Sequence, residues 1–304
     1  MSPSGSVASS AARPAGRLRA AGRSVRIFFR MVKIEHSVFA LPFALAGLFL
    51  AAGGWPGWWT LVFLVLAMVA VRSFAMAMNR ILDRNIDARN PRTRDRPLVS
   101  GSMSLPQAWI LTLITALIFV LSCAALNQTC LLLSPLALLW SGLYSLSKRF
   151  TWLCHFWLGS VLGLAPLGGW LAFEPVLTVP AVILFCGVLF WVAGFDILYA
   201  CQDADFDRRQ GLHSLPADFG IPSALHLAFF SHVNAALFFG LAGWSASLGW
   251  VYALVWLVVS GVLLVEHRLV SADDLSRITL AFFTMNGVIA VLLCAGVLGD
   301  LFWQ

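Results

Sequence analysis

Charge is what this chain has least of. Asp, Glu, Lys and Arg make up 11% of its 304 residues, against 60% hydrophobic residues. An ordinary soluble domain carries about 25% charged and roughly 45–50% apolar residues. A soluble globule has no way to hide such an excess, so that class is excluded and the chain reads as an integral membrane protein. Paired cysteines are also missing. Cys123, Cys130, Cys154, Cys186, Cys201 and Cys294 are scattered, mostly in apolar runs, with no C-x-x-C. They read as small packing residues, which excludes a disulfide framework or a thiolate metal site. The formal charge is +6, yet no zinc-finger or basic-helix pattern accompanies it, so nucleic acid is not an expected partner. The excess of Lys and Arg reports topology instead. Residues 1–24 lack the apolar core of a secretory signal and read as a disordered basic arm drawn to anionic lipid. Residues 25–304 form one membrane domain.

What the chain has in quantity is charge-free sequence long enough to cross a bilayer, about 20 apolar residues at a time. His36 to Val71 holds two spans, separated at Gly53–Gly57. Pro97 to Ser147 holds two more, broken near Asn127-Gln128, and Phe150 to Phe173 holds a fifth. Pro175 to Phe195 holds a sixth, Phe219 to Val265 two, broken near Gly243–Gly249, and Ile278 to Gly299 the last. The sum predicts an all-α membrane protein of about nine transmembrane helices around a central cavity. Arg13 to Lys33 carries seven basic residues and no acid. The remaining basic loops follow spans two, four, six and eight, while the turns between hold no Lys or Arg. The positive-inside rule then predicts a cytoplasmic N-terminus and an outside C-terminus in the inner, or cytoplasmic, membrane.

Two of the basic loops are rich in acids. After span two, Arg72, Asn79, Asp83 and Asp87 are spaced by seven, four and four, one face of a continuing helix. After span six, Asp196, Tyr199, Asp203 and Asp207 share a face and Asp205 does not. Asp196 sits in the last turns of an apolar span, where an ionisable group marks function by default. Two carboxylates a turn apart, present twice, suit Mg²⁺, which takes one or two carboxylates, waters and substrate phosphate oxygens. Arg80, Arg96, Lys148 and Arg149 supply cations for a diphosphate. Asp83 and Asp203 lie about 120 residues apart, each after an even-numbered span, which suggests a degenerate repeat of about four helices. Between spans four and five, Tyr144 and Lys148 stand one helical turn apart.

Asn79-Arg80-Ile-Leu-Asp83-Arg84-Asn-Ile-Asp87 and Asp196-Ile-Leu-Tyr199-Ala-Cys-Gln-Asp203-Ala-Asp-Phe-Asp207 resemble the two Asp-rich motifs of the UbiA superfamily of membrane prenyltransferases. Arg80 departs from the family's usual Asp. The resemblance covers the chain from about Arg30 onward. It implies the nine-span UbiA-type fold, with both motifs facing the cavity and holding Mg²⁺ and a polyprenyl diphosphate. It implies that Asp83, Asp87, Asp203 and Asp207 are the metal ligands. Asn79, Arg80, Arg96, Lys148 and Arg149 then meet the diphosphate, with Tyr144 beside them. Tyr199 stabilises an allylic cation through its ring face. Asp196 takes the ring proton or orients a phenol. Arg72 or Lys33 holds the acceptor carboxylate, and His36 lines the acceptor pocket. The strings Lys33-Ile-Glu-His36-Ser-Val-Phe, Asp87-Ala-Arg89-Asn90-Pro91-Arg92-Thr93 and Gly211-Leu-His213-Ser214 are similar to the 4-hydroxybenzoate branch. Asn79-Arg80 with Tyr199-Ala-Cys201-Gln202-Asp203 is similar to menaquinone enzymes of the futalosine route. The acceptor is therefore a hydroxylated aromatic carboxylate, 4-hydroxybenzoate or a dihydroxynaphthoate, in ubiquinone or menaquinone biosynthesis. Haem-type or chlorophyll-type prenylation, and a cation-coupled transporter, are the competing readings.

Overall fold

The computed structural model describes residues 14–33, 39–271, 275, 278 and 284–303, and of 14–21 the backbone only. Among the described residues, the long charge-free runs are mainly helical, because a backbone in lipid must satisfy its own hydrogen bonds. The helices are α1 (Pro14–Val32), α2 (Leu41–Ala52), α3 (Trp58–Leu82), α4 (Arg84–Asp87), α5 (Leu105–Leu126) and α6 (Gln128–Leu143). They continue with α7 (Cys154–Leu171), α8 (Val179–Ala200), α9 (Ala204–Gln210) and α10 (Leu215–Phe219). The last are α11 (Ile221–Ser245), α12 (Trp250–Leu269) and α13 (Asn286–Trp303).

The breaks have local causes. Gly53 ends α2 in the left-handed region, φ 59°. Asn127 accepts from the Cys130 amide at 2.9 Å to cap α6, and donates to the Leu171 carbonyl at 2.7 Å, pinning α6 to the end of α7. Ser104 and Gln107 form a capping box at the start of α5. Asp300 of α13 accepts from the Tyr252 amide at 3.3 Å and so caps α12 from a neighbouring helix.

Among the described residues, seven helices are long and apolar enough to cross a membrane. The two other apolar helices are α2, of 12 residues, and α7, of 18. In contact order, α2, α3, α5, α6, α7, α8, α11, α12 and α13 make a closed ring, with α13 returning to α2. A direct α2–α7 contact crosses the ring and divides it into two lobes. That crossing is glycine-dependent: a Cβ on Gly169 would lie 1.9 Å from the Ala44 carbonyl oxygen, and one on Gly47 2.2 Å from that of Pro166. The second lobe is filled with Phe43, Trp191, Phe195, Phe239, Tyr252 and their neighbours. The first lobe, between α3, α5, α6 and α7, encloses a cavity of about 170 Å³. This cavity lies on one side of the α2–α7 contact.

Two further expectations change. The arm expected to be disordered to residue 24 is helical from Pro14. From Gly22 on, α1 turns Arg23, Arg26 and Arg30 outward, while Phe28, Met31 and Val32 pack on Ala77, Leu98 and Ala108. The helix expected to run through Asp83 to Asn90 stops at Leu82, and α4 restarts one residue later. The second acidic helix breaks likewise, through a 3-10 turn at Cys201–Asp203. At each break the aspartate holds nearly the same backbone angles, φ −92°, ψ 5° at Asp83 and φ −105°, ψ 2° at Asp203. α3 and α8 are each the second apolar helix of a group of four, so the two halves repeat this junction.

Candidate active site

The junction at Asp83 buries a carboxylate that must be matched by positive charge or hydrogen bonds. Asp83 is 2% exposed. Lys148 Nζ lies 3.2 Å and Arg149 Nη2 3.4 Å from it, both from the 3-10 segment Tyr144–Arg149 that follows α6. Asn79 donates to Asp83 at 3.0 Å, and Arg80 donates to the Asn79 oxygen at 2.9 Å. Arg149 also donates to the Leu82 carbonyl at 2.7 Å, across the break between α3 and α4. In a 3-10 segment residues three apart align, so Tyr144 and Lys148 do not stack as an α-turn predicts.

One turn on, Asp87 is buried and Arg96 Nη1 reaches both of its oxygens at 2.6 Å. The loop that follows turns back across the molecule. Asn90 Nδ2 lies 3.3 Å from Asp203 Oδ1, Arg92 Nε lies 3.1 Å from it, and Arg92 Nη2 pairs with Asp203 Oδ2. Arg92 also donates to the Tyr199 hydroxyl at 2.9 Å, its guanidinium carbon 5.3 Å from the ring centroid. Asp207 follows one turn along α9 and is half-buried. Asp205 is exposed and pairs with Arg208 at 3.2 Å. The His213 amide donates to the Lys148 carbonyl at 2.7 Å, joining the third polar segment to the second. The two acidic motifs are thus brought together, as their chemistry requires.

Beneath this layer, Arg72 and Tyr144 are at the polar end of the first-lobe cavity. Its walls are otherwise apolar, among them Leu64, Met68, Val71, Phe119 and Leu162. From Met76 to Leu64 the cavity follows α3 for about 18 Å at 1.5 Å per residue. Lys33 is exposed at the end of α1, with φ 48°. His36 lies outside the described residues. The Tyr199 ring face, expected to meet an allylic cation, is covered by Arg92 instead.

Sequence reading missed the partners. His155 Nδ1 is 2.7 Å from Asp196 Oδ2, and neither Asn90 nor Arg92 carried a role in the reading. For His155 a signal existed: an ionisable side chain near the start of an apolar span. For Asn90 and Arg92 none did, because their partner lies more than a hundred residues away.

The donor set fits Mg²⁺ with a diphosphate. Asp83, Asp87, Asp203 and Asp207 offer only hard oxygens, and Mg²⁺ takes one or two carboxylates with phosphate oxygens completing its shell. Among the described residues, no three Asp, Glu, His or Cys side chains converge to hold a metal unaided. Each carboxylate pair therefore needs oxygens from the substrate, and the surrounding guanidinium groups suit a diphosphate.

A family profile described as "UbiA prenyltransferase family" matches residues 40–288. A 4-hydroxybenzoate octaprenyltransferase of Shewanella woodyi is 29% identical over 265 residues, 86% of this chain and 92% of the relative. One from Burkholderia ambifaria is 30% identical over 237 residues, 73% and 82% of the two chains. The apo structure of a UbiA homolog from Aeropyrum pernix superposes with a TM-score of 0.80 at 34% identity, covering 88% of this chain and 98% of that one. A UbiA homolog from Archaeoglobus fulgidus, bound to DMAPP and Mg²⁺, shares the fold with a TM-score of 0.70 at 18% identity, covering 91% and 99%.

Proposed function

The chain belongs to the UbiA prenyltransferase family, a family of alkyl-transferring membrane enzymes, and on that premise we propose its reaction. It transfers a polyprenyl group from polyprenyl diphosphate to a ring carbon of a hydroxylated aromatic carboxylate, 4-hydroxybenzoate or a dihydroxynaphthoate. The step belongs to quinone biosynthesis, for ubiquinone or menaquinone. The observation that carries this is the pairing of Asn90 and Arg92 with Asp203, which joins the two acidic motifs, in a bundle that also holds an apolar cavity with Arg72 and Tyr144 in its wall. Diphosphate chemistry and a greasy tail need those two environments in contact. The relatives named for 4-hydroxybenzoate support an aromatic carboxylate as acceptor.

Asp83, Asp87, Asp203 and Asp207 hold Mg²⁺, which neutralises the diphosphate as it leaves. Lys148, Arg149, Arg96 and Arg92 turn from their carboxylates toward the diphosphate oxygens, with Asn79 and Arg80 behind them. The tail runs past Arg72 and Tyr144 into the first-lobe cavity, whose walls keep water from the allylic carbon. Arg72 or Lys33 receives the acceptor carboxylate, with His36 in the same pocket. Asp196 accepts the proton that the ring loses. Nine helices cross the cytoplasmic membrane, the seven long spans with α2 and α7, and the site faces the cytoplasm.

Membranes are offered a panel of prenyl diphosphates with 4-hydroxybenzoate or a dihydroxynaphthoate, and products are identified by mass. Transfer is expected to stop on chelation and to return with Mg²⁺. Asp83→Ala and Asp203→Ala are each expected to abolish it while the protein elutes as folded in detergent. Turnover in either variant at the wild-type rate removes the metal assignment. Absence of transfer to every aromatic acceptor removes the proposed reaction.

A further inference from the structure

We propose that His155 is the positioning residue for Asp196, aiming the carboxylate so that its open oxygen receives the proton displaced from the aromatic ring. This rests on the reading of Asp196 as the base. His155 is 2% exposed, near the start of α7. Its Nε2 lies 3.2 Å from the Leu215 amide nitrogen. A backbone amide only donates, so Nε2 must present its lone pair, and in the neutral ring the proton then sits on Nδ1. From there it is donated to Asp196 Oδ2 at 2.7 Å.

The Leu215 amide opens α10, where the first helical N–H groups have no intrahelical acceptor. One orphan donor at a helix start thereby fixes the tautomer of a buried imidazole. Asp196 Oδ1 has no hydrogen-bond partner among the described residues, and the Asp196 side chain is 25% exposed where that of His155 is 2%. The pair therefore has a dry end, held by α10, and an open end. Leu158, Leu162 and Ala165 continue from His155 at spacings of three, four and three, one face of α7, and all three line the cavity. Cys154, Tyr144 and Asp207 are ionisable neighbours of this pair, Tyr144 at the polar end of the cavity and Asp207 in the acidic layer with Lys148 beside it.

The step balances without a further reagent. The bond from the prenyl carbon to the ring carbon forms, and the bond to the diphosphate oxygen breaks with its electron pair. The ring C–H electrons then restore the aromatic ring. The proton passes to Asp196 Oδ1 and leaves to water with the product. Without the imidazole N–H, Asp196 is free to rotate or to be captured by a neighbouring cation.

The test uses the full chain with geranyl diphosphate, Mg²⁺ and whichever of 4-hydroxybenzoate and a dihydroxynaphthoate the wild type prenylates at a ring carbon that carries hydrogen. His155→Leu is expected to lower kcat by about 10- to 100-fold, the range for lost support of a functional group, with KM for the diphosphate within about threefold. His155→Gln offers an amide donor and an acceptor at similar separation, and is expected to recover most of that loss. Acceptor deuterated at the attacked carbon supplies a readout that misfolding does not move. A primary isotope effect is expected in His155→Leu and not in the wild type. Fewer folded molecules would lower the rate with no isotope effect, and that result overturns the proposal. Asp196→Asn separates the two levels. If it turns over like the wild type, the base reading fails. If it is inactive while His155→Leu keeps the wild-type kcat, the positioning role alone fails.

Discussion

The Arg92 guanidinium touches an aspartate, a phenol hydroxyl and a ring face, all on the far side of the site from its own loop. Its side chain is 38% exposed, so solvent screening keeps its worth to stability small. It holds Asp203, and under the proposed reaction it also meets substrate oxygens. Arg92→Ala is expected to raise KM for the prenyl diphosphate by about 10- to 100-fold, the cost of one charge-assisted contact of roughly 1.5–3 kcal/mol. Tyr199→Phe removes only the hydroxyl that accepts from the half-exposed Arg92 guanidinium, a contact at the low end for a charged donor, about 1.5 kcal/mol, so a loss of about tenfold is expected. Steady-state kinetics of both variants check this. If Tyr199→Phe were as damaging as Arg92→Ala, the hydroxyl would act on substrate directly. At this scale the aspartates were legible, because a four-residue spacing declares a shared helical face. The residues that answer them were not. Arg92 and Asp203 are 111 positions apart, and nothing local to either names the other.

Elements were more legible than contacts between them. Every long helix but the basic α1 lies largely in a charge-poor run, and the breaks at Gly53 and Asn127 carry chemistry that a sequence shows openly. The stops at Asp83 and Asp203 are different. Both residues lie inside uninterrupted helical spacing, and the chain bends there because the aspartates turn to cations on other elements. Tertiary pairing overrode the local pattern, and this cost the sequence reading its two continuous helices. Packing between elements left a quieter trace, glycines inside apolar helices. Gly169→Val puts side-chain atoms where the Ala44 carbonyl stands, and overpacking of this kind costs about 1–3 kcal/mol or more. The unfolding midpoint in detergent is expected to drop by several degrees, with loss of transfer as α7 moves off α2. Gly261→Ala meets nothing within 4 Å and is expected to leave the midpoint in place or raise it slightly. Equal midpoints for the two variants would mean that the α2–α7 crossing is not a fixed contact.

At the scale of the whole molecule, charge and the most exposed tryptophans sort to opposite ends. The acidic junctions, the 3-10 segment after α6 and the loop through α9 and α10 all gather at one end. At the other end stand Trp55 before α3, Trp58 and Trp59 at its start, Trp244 at the end of α11, Trp250 at the start of α12, and Trp303, all at least 50% exposed. Tryptophan prefers the headgroup level, where its ring is apolar and its N–H is wet. Between the two ends, Leu113, Leu117 and Leu121 of α5 and Leu132, Leu136 and Leu139 of α6 face outward, as lipid contact demands. This distribution gives the molecule a membrane plane, and the basic loops predict which face of it is cytoplasmic. Single cysteines for labelling test that direction. Ser247 lies exposed between α11 and α12 at the tryptophan end, and Ser102 lies exposed between α4 and α5 at the charged end. In intact cells an impermeant maleimide is expected to label Ser247→Cys and to spare Ser102→Cys until the membrane is opened. The native cysteines are four buried and two half-buried, so the parent protein sets a low background. Labelling of Ser102→Cys from outside would invert the molecule. The diphosphate site would then open away from the cytoplasm, where Mg²⁺ and the charged substrates of this reaction are expected to be supplied.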